Sequence, residues 1–244
     1  MITVQNGYVA ALPDLARGPV VYDDTVLPWR AWSPPEAAER FAAAVPSARW
    51  AVAGGWAIDL HLGRTTRPHA DLEVSVLAAD VPAVLAAFAE PDWRWVVPAD
   101  GRLHASDSSV ESHQNWLWSP VEQAFVLDVF REAHEADIWI CRRDPAIRRP
   151  WREVVRTSDG AVPYLSPEVV LLFKAKHRRE KDEADMRATL PSLDDDGRAW
   201  LADALARVHP GHPWRERLDA TATSPSRTAS YQPCSRPRSY RAAR

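Results

Sequence analysis

The sequence contains little cysteine. Its two cysteines, Cys141 and Cys234, lie far apart, and the second sits in a polar stretch rich in Ser, Pro and Arg. Two such residues provide neither a disulfide framework nor a CxxC metal site. We therefore expect a protein of the reducing cytoplasm.

Long apolar runs and a positive net charge are also missing. No stretch approaches the ~20 apolar residues that span a bilayer, and the start, MITVQNGYVAALPDLARGP, lacks the basic head and apolar run of a secretion signal. The net charge of −3 gives no overall positive field. We therefore expect no membrane association, and we disfavour nucleic acid as a partner unless a local basic site binds it.

What is present favours an α+β fold. The 244 residues are 46% hydrophobic, which is enough for a substantial core. PPEAAERFAAAV (34–45) predicts a helix, and residues 50–62 predict a strand, a Gly54-Gly55 turn and a second helix. Further patterns predict strands at 71–77, 93–97, 124–132 and 137–141 and a helix at 81–90. After residue 160 the patterns predict helices only.

These patterns divide the chain into four predicted parts. We expect an N-terminal arm (1–33), a domain of strands and helices (34–160), a helical subdomain (161–218) and a disordered basic tail (219–244). The tail prediction depends on the composition from about Ala220 onward, where five arginines occur without any acid: Arg227, Arg236, Arg238, Arg241 and Arg244.

Acidic residues recur on two predicted strands. DLEVSVL (71–77) places Asp71, Glu73 and Ser75 on one face, and AFVLDVFRE (124–132) places Val126, Asp128 and Phe130 on one face. Carboxylates at i and i+2 are about 7 Å apart at the backbone and can converge on a hard cation such as Mg²⁺. The alternative, equally open from spacing alone, is that Asp71 and Glu73 form the solvent face of an edge strand.

Other residues could contact phosphate. Gly54-Gly55 would let a helix N-terminus approach an anion closely, although such a pair is often only a tight turn. Arg64, Arg67 and His69 precede the acidic strand, where they could bind phosphate or neutralise the carboxylates. From these three residues alone, we favour neutralisation of the carboxylates.

A later basic stripe allows two interpretations as well. In PEVVLLFKAKHRREKDEAD, read as one helix, Lys174 and Arg178 share a face that Lys181 continues. That face could meet a triphosphate or be a solvated flank paired with Glu180, Asp182 and Glu183. Apolar neighbours favour burial, and thus a site role, for Lys174.

The order of these motifs carries a resemblance. AGGWAIDLHLGRTTRPHADLEVSV (53–76) closely resembles the signature of the aminoglycoside 2''-adenylyltransferase family, within the polymerase-beta-like nucleotidyltransferase superfamily. LDVFRE (127–132), DIWICRRDPAIRRP (137–150), residues 164–193 and residues 200–214 are similar to its later blocks. The resemblance implies a nucleotidyltransferase-type mixed sheet flanked by helices, followed by a helical subdomain.

The resemblance also implies roles for individual residues. Gly54 and Gly55 would form the triphosphate turn, and Asp71, Glu73 and Asp128 the catalytic metal triad. From their positions in the sequence, rather than from the resemblance, we further expect nucleotide contacts by Arg67, Lys174 and Arg178. Two departures stand out: Glu73 replaces an Asp found in many relatives, and SHQNWLW (112–118) resembles the family only loosely.

The implied reaction moves an NMP, expected to be AMP, from ATP or another NTP to a hydroxyl with release of pyrophosphate. Two Mg²⁺ ions would assist it, and Asp128, or less favourably His69 or His113, would serve as general base. The implied acceptor is a small molecule, such as an aminoglycoside, which connects the protein to antibiotic resistance.

A polycationic, sugar-containing acceptor such as an aminoglycoside would require a cleft lined with acidic and aromatic side chains. Its candidate acids are Asp107, Glu111, Glu132 and Glu135, and its candidate aromatic wall is Trp116, Trp118 and Trp139. Two alternatives stay open: toxin-like transfer to protein or tRNA, which the basic tail favours, and a non-catalytic nucleotide-binding module in which Glu73 marks decay.

Overall fold

The computed structural model describes residues 4–5, 8–9, 12, 14–23, 27–89, 91–107 and 109–222. Cys234 and the five arginines of the predicted tail lie outside these ranges. In the described ranges no helix has both the length and the apolar character needed to cross a membrane.

Fourteen strands and eight α-helices are described. The strands are β1 Val4–Gln5, β2 Tyr8–Val9, β3 Val20–Val21, β4 Trp50–Val52, β5 Glu73–Leu77, β6 Arg94–Ala99, β7 Arg102–Ala105, β8 Gln114–Ser119, β9 Ala124–Glu132, β10 His134–Glu135, β11 Ile138–Ile140, β12 Arg148–Pro150, β13 Val155–Thr157 and β14 Pro163–Leu165. The helices are α1 Pro34–Ala44, α2 Gly54–Leu62, α3 Val81–Ala87, α4 Trp151–Val154, α5 Pro167–Lys174, α6 Glu180–Thr189, α7 Asp195–Val208 and α8 Trp214–Ala222. Helices and strands thus occur together, as the predicted fold class requires.

The main sheet has nine strands in the order β13-β14-β4-β5-β9-β8-β6-β7-β3. β5 is an inner strand that pairs antiparallel with β4 and parallel with β9. The backbone N–H and C=O groups on both sides of β5 are therefore paired with neighbouring strands. The edge-strand alternative for Asp71 and Glu73 is therefore wrong.

A β-bulge changes the predicted alternation of β9. Leu117 pairs with Leu127 but Trp118 pairs with Phe125, so β9 has one extra residue at Val126. Val126 consequently packs in the main core beside Leu127, while Phe125 packs in a smaller core with Trp116. The prediction that Val126 shares a face with Asp128 is wrong because an inserted residue reverses the alternation before it.

One continuous core joins the sheet to the C-terminal helices. It includes Phe41 of α1, Val74 of β5, Leu171 of α5, Leu205 of α7 and Leu218 of α8, all buried. α1 begins as predicted, because the Ser33 hydroxyl accepts the Glu36 N–H and Pro34 takes the first position. The helical segment thus shares its core with the sheet.

Three observed elements lie at or across the predicted domain boundaries. The 160/161 boundary falls in the hairpin of β13 and β14, and β14 lies in the main sheet beside β4. In the N-terminal arm, β3 pairs with β7 at the sheet edge. α8 runs to Ala222, so the first four residues assigned to the tail are helical.

The basic stripe is interrupted. α5 ends at Lys174 and α6 begins at Glu180, with Arg178 between them at a φ of 49°. The Asp182 carboxylate accepts the Arg179 N–H, which caps the start of a new helix. The prediction of one helix through this segment is therefore wrong, and Lys174, Arg178 and Lys181 do not form one face.

Candidate active site

Two of the three candidate carboxylates lie directly opposite each other. Glu73 on β5 is the register partner of Asp128 on β9, and the two strands are parallel. Asp71 lies two residues before β5, and the Asp128 N–H donates to the intervening Leu72 carbonyl at 2.9 Å. The predicted pairing of these two strands is confirmed.

The carboxylates interact electrostatically. Burial, and then the neighbouring Glu73 charge, raises the pKa of Asp128 well above its usual value. Burial, followed by the Asp71 charge, raises the pKa of Glu73. Concentrated negative charge in a low dielectric is costly unless a cation or proton compensates for it.

The donor set fits a hard cation. Asp128 is 4% exposed; its Oδ2 accepts from Gln114 Nε2 at 2.9 Å, and its Oδ1 is buried without a hydrogen-bond partner. Oxygen donors with an unsatisfied lone pair are what Mg²⁺ requires. In the described part of the chain, no three acidic, His or Cys side chains are already closed into a metal-holding group, so binding would require side-chain rotation.

The glycine turn sits against this cluster. Gly54 has a φ of 60°, and a Cβ there would overlap the Glu73 carboxylate; a Cβ at Gly55 would overlap the Arg67 guanidinium and the His69 ring. The Ala53 N–H donates to the Glu73 carbonyl at 2.8 Å, and no side chain caps the start of α2. An uncapped helix N-terminus beside a tight turn is suited to bind an anion.

A cavity of about 390 Å³ opens beside the turn and Glu73. Its wall is strongly basic, with two acids against five lysines and arginines and two histidines. The lining residues are Ala53, Gly54, Glu73, Ser75, His113, Gln114, Phe130, Glu132, Arg142, Arg143, Leu165, Val170, Phe173, Lys174, Lys176, His177 and Arg179.

Sequence reasoning missed most of these cations. The Arg142 guanidinium lies 4.3 Å from the centroid of the Phe173 ring, and Arg143 donates to the Leu172 and Phe173 carbonyls at 2.8 and 2.7 Å. Burial, together with Arg142, lowers the pKa of Arg143 to about 10, which leaves it charged at neutral pH. The usable signal was the arginine pair directly after a predicted strand.

The predicted nucleotide contacts separate into two groups. Gly54 and Lys174 line the cavity. Arg67 instead binds both Asp185 oxygens at 3.1 Å, and Arg178 pairs with Glu183 at 3.0 Å outside the cavity wall. The structure therefore places Arg178 away from the candidate site, and it pairs Arg67 with Asp185 on α6 rather than with the strand carboxylates.

The candidate histidines also differ in position. His69 is buried, with its Nε2 2.6 Å from Asp59 Oδ2 and its ring against Trp56. His113 lines the cavity and stacks on Phe130; burial, followed by Arg142, lowers its pKa. Of these two candidates, His113 lines the cavity and His69 does not.

The proposed acceptor residues do not converge. Glu132 accepts from Ser75 Oγ and Trp139 Nε1, while Glu135 pairs with Arg148. Asp107 and Glu111 line two different cavities, neither being the one beside Glu73. The aromatic-wall prediction is wrong, because Trp116, Trp118 and Trp139 are buried in the two cores, where packing rather than ligand contact uses their area.

Comparisons with known proteins agree with this geometry. The family model described as aminoglycoside-2''-adenylyltransferase matches residues 43–113, which include the glycine turn and β5. The solution structure of the antibiotic-resistance factor ANT(2'')-Ia is 16% identical, covers 77% of this chain and 94% of its own, and has a TM-score of 0.50. A crystal structure of ANT(2'')-Ia in complex with adenylyl-2''-tobramycin is 16% identical, covers 71% and 97%, and has a TM-score of 0.51.

No curated protein sequence matches the chain significantly. Over residues 43–113 the family match agrees with the resemblance drawn from the sequence. The two structural likenesses confirm the fold. The family to which this segment is similar is that of the aminoglycoside 2''-adenylyltransferases.

Proposed function

We propose that this protein transfers AMP from ATP to a hydroxyl of a small acceptor, of the aminoglycoside type, in a Mg²⁺-dependent reaction. One observation carries the proposal: Glu73 and Asp128 lie opposite each other on parallel inner strands, and Glu73 borders both the glycine turn and a basic cavity. The family match and the adenylyl-2''-tobramycin complex of ANT(2'')-Ia support the acceptor class.

Different residues would bind the triphosphate and the metal ion. The N-terminus of α2 and the cations Arg142, Lys174 and Arg179 would hold the triphosphate, since anions favour helix N-termini and Lys or Arg partners. Asp71, Glu73 and Asp128 would hold Mg²⁺, which supplies charge neutralisation at the reacting phosphate. Catalysis would then depend mainly on positioning and electrostatics.

Asp128 is the proposed general base. Asp128 lies directly opposite Glu73 on the neighbouring strand, so its carboxylate would accept the proton of an acceptor hydroxyl bound at this cluster. The acceptor oxygen forms a bond to the α-phosphorus while the bond to the bridging α–β oxygen breaks, and pyrophosphate leaves. Gln114 would orient the Asp128 carboxylate through its hydrogen bond to Oδ2.

The test is a pyrophosphate-release assay with ATP, Mg²⁺ and a panel of aminoglycosides, lincosamides and nucleotides. We expect release with at least one aminoglycoside, and none with EDTA or with Asp71→Asn or Asp128→Asn. Asp203→Asn, on the exposed side of α7, is the matched control and should retain wild-type activity.

Two results would contradict the proposal. A fully active Asp128→Asn variant would remove the carboxylate from the mechanism. Absence of release with every small acceptor, together with transfer of label from radioactive ATP to protein or RNA in a cell extract, would replace the acceptor class.

A further inference from the structure

Asp185 on α6 connects two parts of the candidate site. Its Oδ1 accepts from Arg67 Nε and its Oδ2 from Arg67 Nη2, both at 3.1 Å. Lys174 Nζ lies 2.8 Å from the same Oδ2. The Asp185 side chain is only 2% exposed, so this carboxylate is held by two cations from different elements.

The two cations lie on different sides of the candidate site. Lys174 is the last residue of α5 and lines the cavity, with its side chain 10% exposed. Arg67 precedes β5, and its guanidinium occupies the space that a Gly55 side chain would fill. Asp185 therefore contacts both Lys174 in the cavity wall and Arg67, which packs against Gly55 of the glycine turn.

The neighbouring Asp182 has a different set of partners. It binds Arg179 through Nε at 2.9 Å and through the Arg179 N–H, and it lies 3.6 Å from Lys174 Nζ. Its main contacts stay at the start of α6, whereas those of Asp185 extend to α5 and to the loop before β5. The shorter Lys174 contact is the one made by Asp185.

These contacts fix a flexible side chain. A lysine has a four-carbon stem and loses rotamer freedom when it is held in one place. The two-pronged contact with Arg67 locks the Asp185 carboxylate, and the locked carboxylate in turn defines the position of Nζ. The pKa of Asp185 is lowered overall by Arg67 and Lys174, against an opposing effect of burial, which keeps the carboxylate ionised.

We propose that Asp185 is a positioning residue for the nucleotide site, which holds Lys174 against the cavity and Arg67 beneath Gly55 so that both sides of the triphosphate site are set together. The inference rests on the proposed function, because it assumes that Lys174 contacts the triphosphate. It assigns Asp185 no contact with substrate.

A double-mutant cycle on ATP affinity tests this role. Calorimetric Kd values for ATP with Mg²⁺ are measured for wild type, Asp185→Asn, Lys174→Ala and the double variant, each with its unfolding midpoint. Losing one charge-assisted contact should weaken ATP binding by roughly 10-fold in each single variant. Because Asp185 also holds Arg67, the double variant should bind more weakly than Lys174→Ala, but by clearly less than the product of the two single effects.

Arg67→Lys provides a second variant if Asp185→Asn does not fold. It keeps the charge but loses the two-pronged contact, so ATP binding should weaken in the wild-type background and by a smaller factor in the Lys174→Ala background. Asp203→Asn is the control and should leave Kd unchanged.

The outcomes are distinguishable. A purely structural Asp185 would lower the unfolding midpoint while leaving Kd unchanged, or its effect would add fully to that of Lys174→Ala; either result refutes the inference alone. A wild-type chain that binds no ATP refutes the proposed function, and the inference with it.

Discussion

At the scale of single residues, Gly54 is constrained twice, by its φ of 60° and by the Glu73 carboxylate where its Cβ would lie. Gly63 has a similar φ of 65° but nothing within 4 Å of a Cβ. Gly63→Ala should therefore cost only the backbone strain of about 1–2 kcal/mol. Gly54→Ala should cost at least as much and also reduce kcat/KM about 100-fold, because it displaces Glu73.

Chemical denaturation and steady-state assays of both variants measure this difference. Equal losses of stability and equal activities in Gly54→Ala and Gly63→Ala would show that the contact with Glu73 is unimportant.

Asp128 gives a pH-dependent prediction at the same scale. Its folded-state pKa is raised, so ionising it costs folding free energy. That cost is absent below the unfolded value of about 3.9 and grows as the pH rises towards the folded-state value. In EDTA, Asp128→Asn should therefore gain Tm relative to wild type as pH increases from 4 to 8, by about 2–4 °C for each kcal/mol of relief.

Thermal unfolding at several pH values measures this gain. A Tm difference that does not change with pH, or a wild type that is more stable at pH 8, would contradict the assignment of a buried, strained carboxylate.

At the scale of elements, α5 is anchored at its N-terminus by a buried carboxylate. Glu168 is 1% exposed and pairs with Arg149 of β12 at 2.9 Å and with Arg156 of β13 at 3.7 Å. Removing one partner of a buried ion pair costs about 3–5 kcal/mol. Glu168→Ala should destabilise the protein by that amount, and because α5 carries Lys174, ATP affinity should fall as well.

The matched control is Glu153→Ala in α4, whose pair with Arg152 is largely exposed. An exposed pair contributes about 0–1 kcal/mol. Urea denaturation of both variants provides the comparison, and similar losses would show that Glu168 does not anchor the helix.

The sequence predicts strands and helices well where polar and apolar residues alternate regularly, and poorly where tertiary pairing decides the structure. β5 and β9 were predictable because their acids alternate with apolar residues that enter the core. The bulge at Val126 was not, since it depends on pairing with β8. The break after Lys174 depends on a backbone cap from Asp182, for which the basic stripe gave no periodic signal.

Site residues differ in the same way. Gly54, Glu73 and Asp128 belong to local motifs, and the fold places them near each other. Arg142 and Arg143 follow β11, and only tertiary packing against α5 brings them to the cavity. The sequence does not show that Trp116 and Trp139 are buried, because aromatic composition does not distinguish a buried face from an open one.

At the scale of the whole molecule, a single core passes from Trp32 to Leu218 and joins the sheet with α5, α7 and α8. Contacts between α2 and α5 and between β4 and β14 cross the predicted 160/161 boundary. Segments that share a core are expected to unfold together. The proposed nucleotide contact Lys174 on α5 and the Glu73 carboxylate on β5 would then belong to one cooperative unit.

Leu205→Ala in α7 tests this cooperativity. Leu205 is fully buried, so its truncation should cost about 2–5 kcal/mol. Far-UV circular dichroism, dominated by helices, and tryptophan fluorescence should report coincident urea transitions that shift together to lower urea. Val121→Ala, at an 87% exposed position, should change stability by less than about 0.5 kcal/mol. Two separate transitions, with Leu205→Ala moving only the helical one, would instead show that residues after 160 fold as an independent unit.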